Sequence, residues 1–89
     1  MDKFRVLNSG FDKGFQMDFE NGVTVSVQFG DLTHSDKGQT TAEVAVYRGD
    51  EWYIADIDDL VLVSRGSEVM NYCSPDVVAW IMDKARHIK

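Results

Sequence analysis

The chain has 89 residues, 44% of them hydrophobic and 11% aromatic, which is enough apolar material for one core and the size of a single domain spanning 1–89. Its formal charge of −6 repels phosphate backbones and argues against polymeric nucleic acid as a partner. Cys73 is the only cysteine, so no disulfide forms within the chain and a reducing, cytoplasmic setting is expected; with no basic-then-apolar leader and no stretch near the ~20 apolar residues that span a bilayer, neither secretion nor a membrane is expected.

Lys3 to Asn8 reads as a short strand, ended by the turn cluster Asn8-Ser9-Gly10. Gly14 opens the clearest pattern in the chain. Phe15, Met17 and Phe19 alternate with Gln16, Asp18 and Glu20; after Asn21-Gly22, Val23, Val25, Val27 and Phe29 alternate with Thr24, Ser26 and Gln28. Strict period two on both sides of a turn predicts a half-buried β-hairpin. A two-residue Asn-Gly loop would point the two apolar rows in opposite directions. A three-residue loop, Glu20-Asn21-Gly22, pairs Phe19 with Val23, aligns both rows and puts glycine where a G1 bulge needs a left-handed residue.

Residues 30–40 have no period and are mostly polar, a long loop of the kind that is either functional or mobile. Alternation resumes from Thr41 to Tyr47, and a turn at Arg48-Gly49-Asp50 leads into a returning strand, Glu51 to Ala55. Asp56-Ile57-Asp58-Asp59 interrupts the pattern. Leu60-Val61-Leu62-Val63 is apolar on both faces, which predicts a covered strand, and 64–73 reads as a connection. Ser74-Pro75-Asp76 is a helix start, with Ser as N-cap, Pro at the first helical position and an acid near the positive end of the helix dipole. Val77, Trp80, Ile81, Ala85 and Ile88 make one stripe at helical spacing. The expected fold is α+β: five or six antiparallel strands in hairpins with the C-terminal helix packed on one face.

The chain holds no G-x-S-x-G, Walker loop, G-x-G-x-x-G or H-E-x-x-H pattern, and no enzymatic activity or cofactor is expected. Cys73 lies just before a helix start, which can lower a thiol pKa, but a lone cysteine beside a cap reads first as a packing residue. Asp56, Asp58 and Asp59 lack the longer alternating series, glycine and distal Glu of a calcium loop, and read as a solvated acidic turn. The more suggestive set carries rings and cations. His34 and Lys37 in the long loop, with Arg48, Trp52, Arg65 and Tyr72 near strand ends or connections, could hold a small nucleotide by stacking and phosphate pairing. The bland alternative is that Trp52 and its neighbours pack the sheet. The acidic surface has a third use, as a mimic of nucleic-acid charge that occupies a basic groove on another protein.

Asn8-Ser9-Gly10-Phe11, the run Gly14 to Gly30, Ala42-Glu43-Val44-Ala45-Val46 and Ser74-Pro75-Asp76-Val77-Val78 together resemble small bacteriophage-encoded accessory proteins. In those proteins an Asn-Tyr-Cys triplet follows the glycine corresponding to Gly30; here Asp31-Leu32-Thr33-His34 follows, and Asn71-Tyr72-Cys73 stands near the helix. The resemblance implies an anti-defence role of one of two kinds. One is a sponge, as in Thoeris anti-defence, that sequesters a nucleotide-derived immune signal in the host cytoplasm without cleaving it, as a small homo-oligomer. The other is an inhibitor that blocks a host defence complex by direct contact, as anti-CRISPR proteins do.

Overall fold

The structure, a computed structural model, describes residues 2–9, 12–30, 33, 35–36, 39–63 and 68–89. Its strands are β1 (Lys3–Ser9), β2 (Asp12–Asp18), β3 (Thr24–Gln28), β4 (Ala42–Arg48), β5 (Glu51–Asp56), β6 (Asp59–Val63) and β7 (Met70–Cys73), followed by helix α1 (Pro75–Ala85). The first six follow one another across an antiparallel sheet in chain order, each beside its predecessor. β7 pairs with β4 on the same side as β5, opposite Ala42 and Val44, while β5 takes Val46 to Arg48. The fold is α+β, with the helix on one face.

The hairpin of β2 and β3 turns as its alternation dictates. Phe19 N–H donates to Val23 O at 2.9 Å, Gly22 N–H donates to Phe19 O at 2.9 Å, and Gly22 has φ +85°. This is the three-residue loop with its bulge glycine, and Phe19 and Val23 are both buried on the helix side. Gly14 is constrained for another reason. Its φ is +148°, and a Cβ there would lie 2.0 Å from Val27 O, so the neighbouring backbone leaves room only for glycine.

Cross-strand registers sort the side chains into two faces. Phe4, Met17, Val25, Val46, Tyr53 and Leu62 form one row from edge to edge on the helix side, and Val6, Phe15, Val27 and Val44 form the next. Ile81 and Ala85 of α1 close this core over Val25, Val27, Val44 and Val46. Lys3, Asp18, Thr24, Tyr47, Trp52 and Val63 line up on the opposite face, which no helix among the described residues covers.

The helix begins as its sequence predicts. Ser74 is the N-cap, its Oγ accepting from Val77 N–H, with Pro75 at the first position and Asp76 in the first turn. Three expectations change. Residues 70–73, read as connection, form β7, and one extra residue of β7 bulges opposite β4. β6 is covered only in part: it is the sheet's edge, with Leu60 buried but Val61 and Leu62 exposed. The helix is about 16 Å long and six strands span about 24 Å, so it covers the sheet only in part: it reaches β6 at Leu60 and leaves Leu62 and, at the other edge, Phe4 and Val6 exposed. Val77, placed on the packing stripe, is 41% exposed in the first turn, and Val78 packs against the core instead.

Candidate functional site

Arg48 ends β4 on the helix side, where it ties three segments together. Its Nη1 donates to Asn21 O at 3.3 Å, and its Nη2 to Tyr53 Oη at 3.4 Å and Lys89 O at 3.3 Å. Asn21, two residues into the hairpin loop, donates from Nδ2 to Ala85 O and Ile88 O at 3.0 and 2.9 Å and accepts from Val23 N–H at 3.0 Å. Asn21 thus adds a second donor to Ala85 O, the last carbonyl of α1, and with Arg48 it fastens residues 88–89, which follow the helix, to the hairpin loop and β4. This is fold-building work for the guanidinium.

Trp52 lies on the other face, stacked on Tyr47 with ring centroids 4.8 Å apart and planes 30° apart. Around this stack the polar side chains bind one another. Gln16 Nε2 donates to Ser26 Oγ at 3.5 Å and Tyr47 Oη at 3.4 Å, and Gln28 Nε2 donates to Ser26 Oγ at 3.0 Å. Tyr72 sits in the β7 bulge at φ +52°, exposed. The structure thus separates Arg48, Trp52 and Tyr72. His34, Lys37 and Arg65 lie outside the described residues.

What the structure does bring together is an apolar groove of about 320 Å³ on the helix side. Phe15, Val27 and Phe29 supply its floor from β2 and the end of β3; Cys73, Val78 and Ala79 supply the wall at the start of α1. The opposite rim is Gln39, Thr40 and Thr41, where the long loop returns into β4. Asp36 shapes that rim. Its carboxylate accepts from the Thr40 hydroxyl and N–H and from Thr41 N–H, while Thr41 Oγ1 accepts from Asp36 N–H at 2.9 Å. These bonds, the Thr40 hydroxyl first, hold the Asp36 carboxyl well below the usual carboxylate range. In the groove's wall, burial pushes the Cys73 thiol up, which favours its protonated form.

A larger cleft of about 540 Å³ lies between β6 and the end of α1, but charged residues, among them Asp59, Asp83, Lys84 and Lys89, make up much of its lining. Sequence reasoning missed the first groove because its walls come from residues 15, 27–29, 39–42 and 73–79, which only the folded chain makes neighbours. The one local signal was the length of the 30–40 loop, whose returning end forms the rim. No family model matches the chain, and neither a curated protein nor a solved structure matches it.

Proposed function

We propose that this protein captures a small, ring-bearing, nucleotide-derived ligand in the groove between β3, β4 and the start of α1, without turning it over. One observation carries the reading: a concave apolar site with two phenylalanines, rimmed by Gln39, Thr40 and Thr41. Small-molecule sites combine these features, mostly apolar walls with a few polar groups that orient the ligand. At about 320 Å³ the groove fits one base or nucleoside unit, since ligand sites run from roughly 300 to 1,000 Å³. The rim groups are neutral and the molecule carries −6, so a ligand with few phosphates is favoured over a polyphosphate. On the resemblance to phage accessory proteins, that ligand is an immune signal and its capture is an anti-defence function.

A thermal-shift panel of adenosine, ADP-ribose isomers, cyclic dinucleotides and cyclic trinucleotides tests this. At least one probe should raise the melting temperature, because a ligand that binds only the folded state stabilises it. Ala79 is exposed on the groove wall, so Ala79→Phe should fill the site without touching the core and abolish the shift. No shift with any probe, or an equal shift in the variant, would overturn the reading.

A second reading, an acidic inhibitor that docks on a basic host defence protein, is favoured by one feature. The β5–β6 turn presents Ile57, 91% exposed, between Asp56, Asp58 and Asp59. An apolar tip ringed by carboxylates suits insertion into a basic-rimmed pocket. Binding of that kind should weaken with salt.

A further inference from the structure

We infer that the free edge of β1 is a self-association surface: two copies pair their β1 strands antiparallel about Val6, joining two sheets into one. This holds whatever the groove binds.

Backbone phase decides which groups the edge offers. Phe19 N–H donates to Val23 O and Phe29 N–H donates to Lys13 O, so the odd-numbered residues of β2 turn their main chain toward β3. The even-numbered ones, Gly14, Gln16 and Asp18, must then face β1, where they meet Leu7, Arg5 and Lys3. Consequently the N–H and C=O groups of Phe4, Val6 and Asn8 point away from the sheet. No strand lies beyond β1 among the described residues, so an unpaired ladder runs along a seven-residue strand.

The side chains of those same residues favour an apolar partner. Phe4 and Val6 are 68% and 78% exposed, although both stand on the helix side of the sheet. Phe4 meets Phe15 edge to face, centroids 6.2 Å apart, so the exposed strip continues the core.

Symmetry and charge select a second copy of this chain. In a two-fold antiparallel pair centred on Val6, Val6 faces its own mate and Phe4 faces the mate's Asn8. All three outward-pointing residues then bond, giving about six main-chain hydrogen bonds. Phe4 and Val6 of both copies merge into one apolar strip, and Arg5 lies opposite Leu7. Centring on Arg5 instead would set two guanidinium groups face to face. Electrostatics also picks this edge over the other. Up to residue 18, Asp2, Asp12 and Asp18 are balanced by Lys3, Arg5 and Lys13, so the whole −6 belongs to the remainder of the chain. The β6 edge, in contrast, gathers Asp56, Asp58 and Asp59. Two copies meet at β1 without bringing their excess charge together.

Sedimentation of the purified full chain at micromolar concentration tests the proposal. The wild type should run at twice 10.1 kDa. Val6→Lys, which sets two ammonium groups across the dyad, and Val6→Pro, which removes an outward donor but no β1–β2 bond, should both halve that mass. Their circular dichroism should be unchanged, since Val6 is exposed. Hydrogen exchange gives an independent reading, because the Phe4, Val6 and Asn8 amides should be protected in the wild type, those of Phe4 and Asn8 should lose protection in both variants, and that of residue 6 should lose it in Val6→Lys. A monomeric wild type, a dimer that survives both substitutions, or free exchange at these amides in the wild type would each overturn it.

Discussion

Ile57 is the residue whose backbone departs furthest from what its side chain prefers. It is β-branched, it occupies the first central position of the two-residue turn between Asp56 and Asp59, and its φ is +52°. The equivalent place in the β4–β5 turn is Gly49, at φ +59°, where the missing Cβ removes the conflict. For an L-residue with a Cβ the left-handed region costs roughly 1–2 kcal/mol, and 91% exposure means that the side chain recovers little through packing. Ile57→Asn keeps a side chain but tolerates this region, and should raise unfolding stability by about 1 kcal/mol in urea titration. If Ile57 is the apolar tip of a docking surface, the same change should weaken association with a basic partner while strengthening the fold. Opposite signs in the two measurements distinguish a contact residue from an ill-fitting turn.

At the scale of elements, the hairpin loop and the end of the helix are held by one side chain, Asn21. Removing its amide leaves Ile88 O and the N–H of Val23 without this partner and Ala85 O with only the Ile88 N–H at 3.3 Å, and an unmade bond of this kind costs about 1–3 kcal/mol. Asn21→Ala should therefore lower the melting temperature by several degrees and raise hydrogen exchange in the last turn of α1 before the sheet. Asn21-Gly22 was legible as a turn, and Phe15 to Phe29 as a hairpin with its register, because period two and the loop length are both local properties. The start of α1 was legible for the same reason. Asn21's second task was not, since nothing near it in sequence announces the helix end it caps. The four-residue run Leu60 to Val63 was misread as covered because an apolar run reports what a strand could bury and not what lies above it. β7 was missed because it consists of four residues paired to a distant strand through a bulge at Tyr72, with no alternation to mark it. The groove is built wholly of such distant meetings. The proposed site set paired Arg48 with Trp52, four residues apart, yet β4 and β5 carry them to opposite faces.

Across the whole molecule the two faces of the sheet are stabilised by different physics, and acid separates them. The helix face rests on apolar burial, which pH leaves nearly untouched. The other face has a charged anchor at Asp18, whose carboxylate accepts two hydrogen bonds from Arg5, both 2.9 Å, and one from Thr24 Oγ1 at 2.7 Å, with Lys3 Nζ 4.0 Å away. It thus joins β1, β2 and β3. The Arg5 bonds, then Thr24, hold the Asp18 carboxyl below its ordinary value. A depressed carboxyl pKa means that the unfolded chain takes up a proton first as pH falls. Asp18 therefore contributes its full stabilisation above the unfolded carboxylate value near 4, and loses it as pH falls from there through the folded value. Asp36 titrates in the same direction, so the wild-type curve alone does not isolate Asp18. The comparison with Asp18→Asn does. The variant should be less stable than the wild type near pH 7, and the gap in urea midpoint should narrow steadily below about pH 4. Because Arg5 and Lys3 both belong to β1, the amides of the β1–β2 ladder should lose protection before those of β3 and β4 as acid is added. A gap that stays constant with pH would mean that Asp18 acts through its shape and hydrogen-bonding capacity, and that its charge does not hold the edge strand in place.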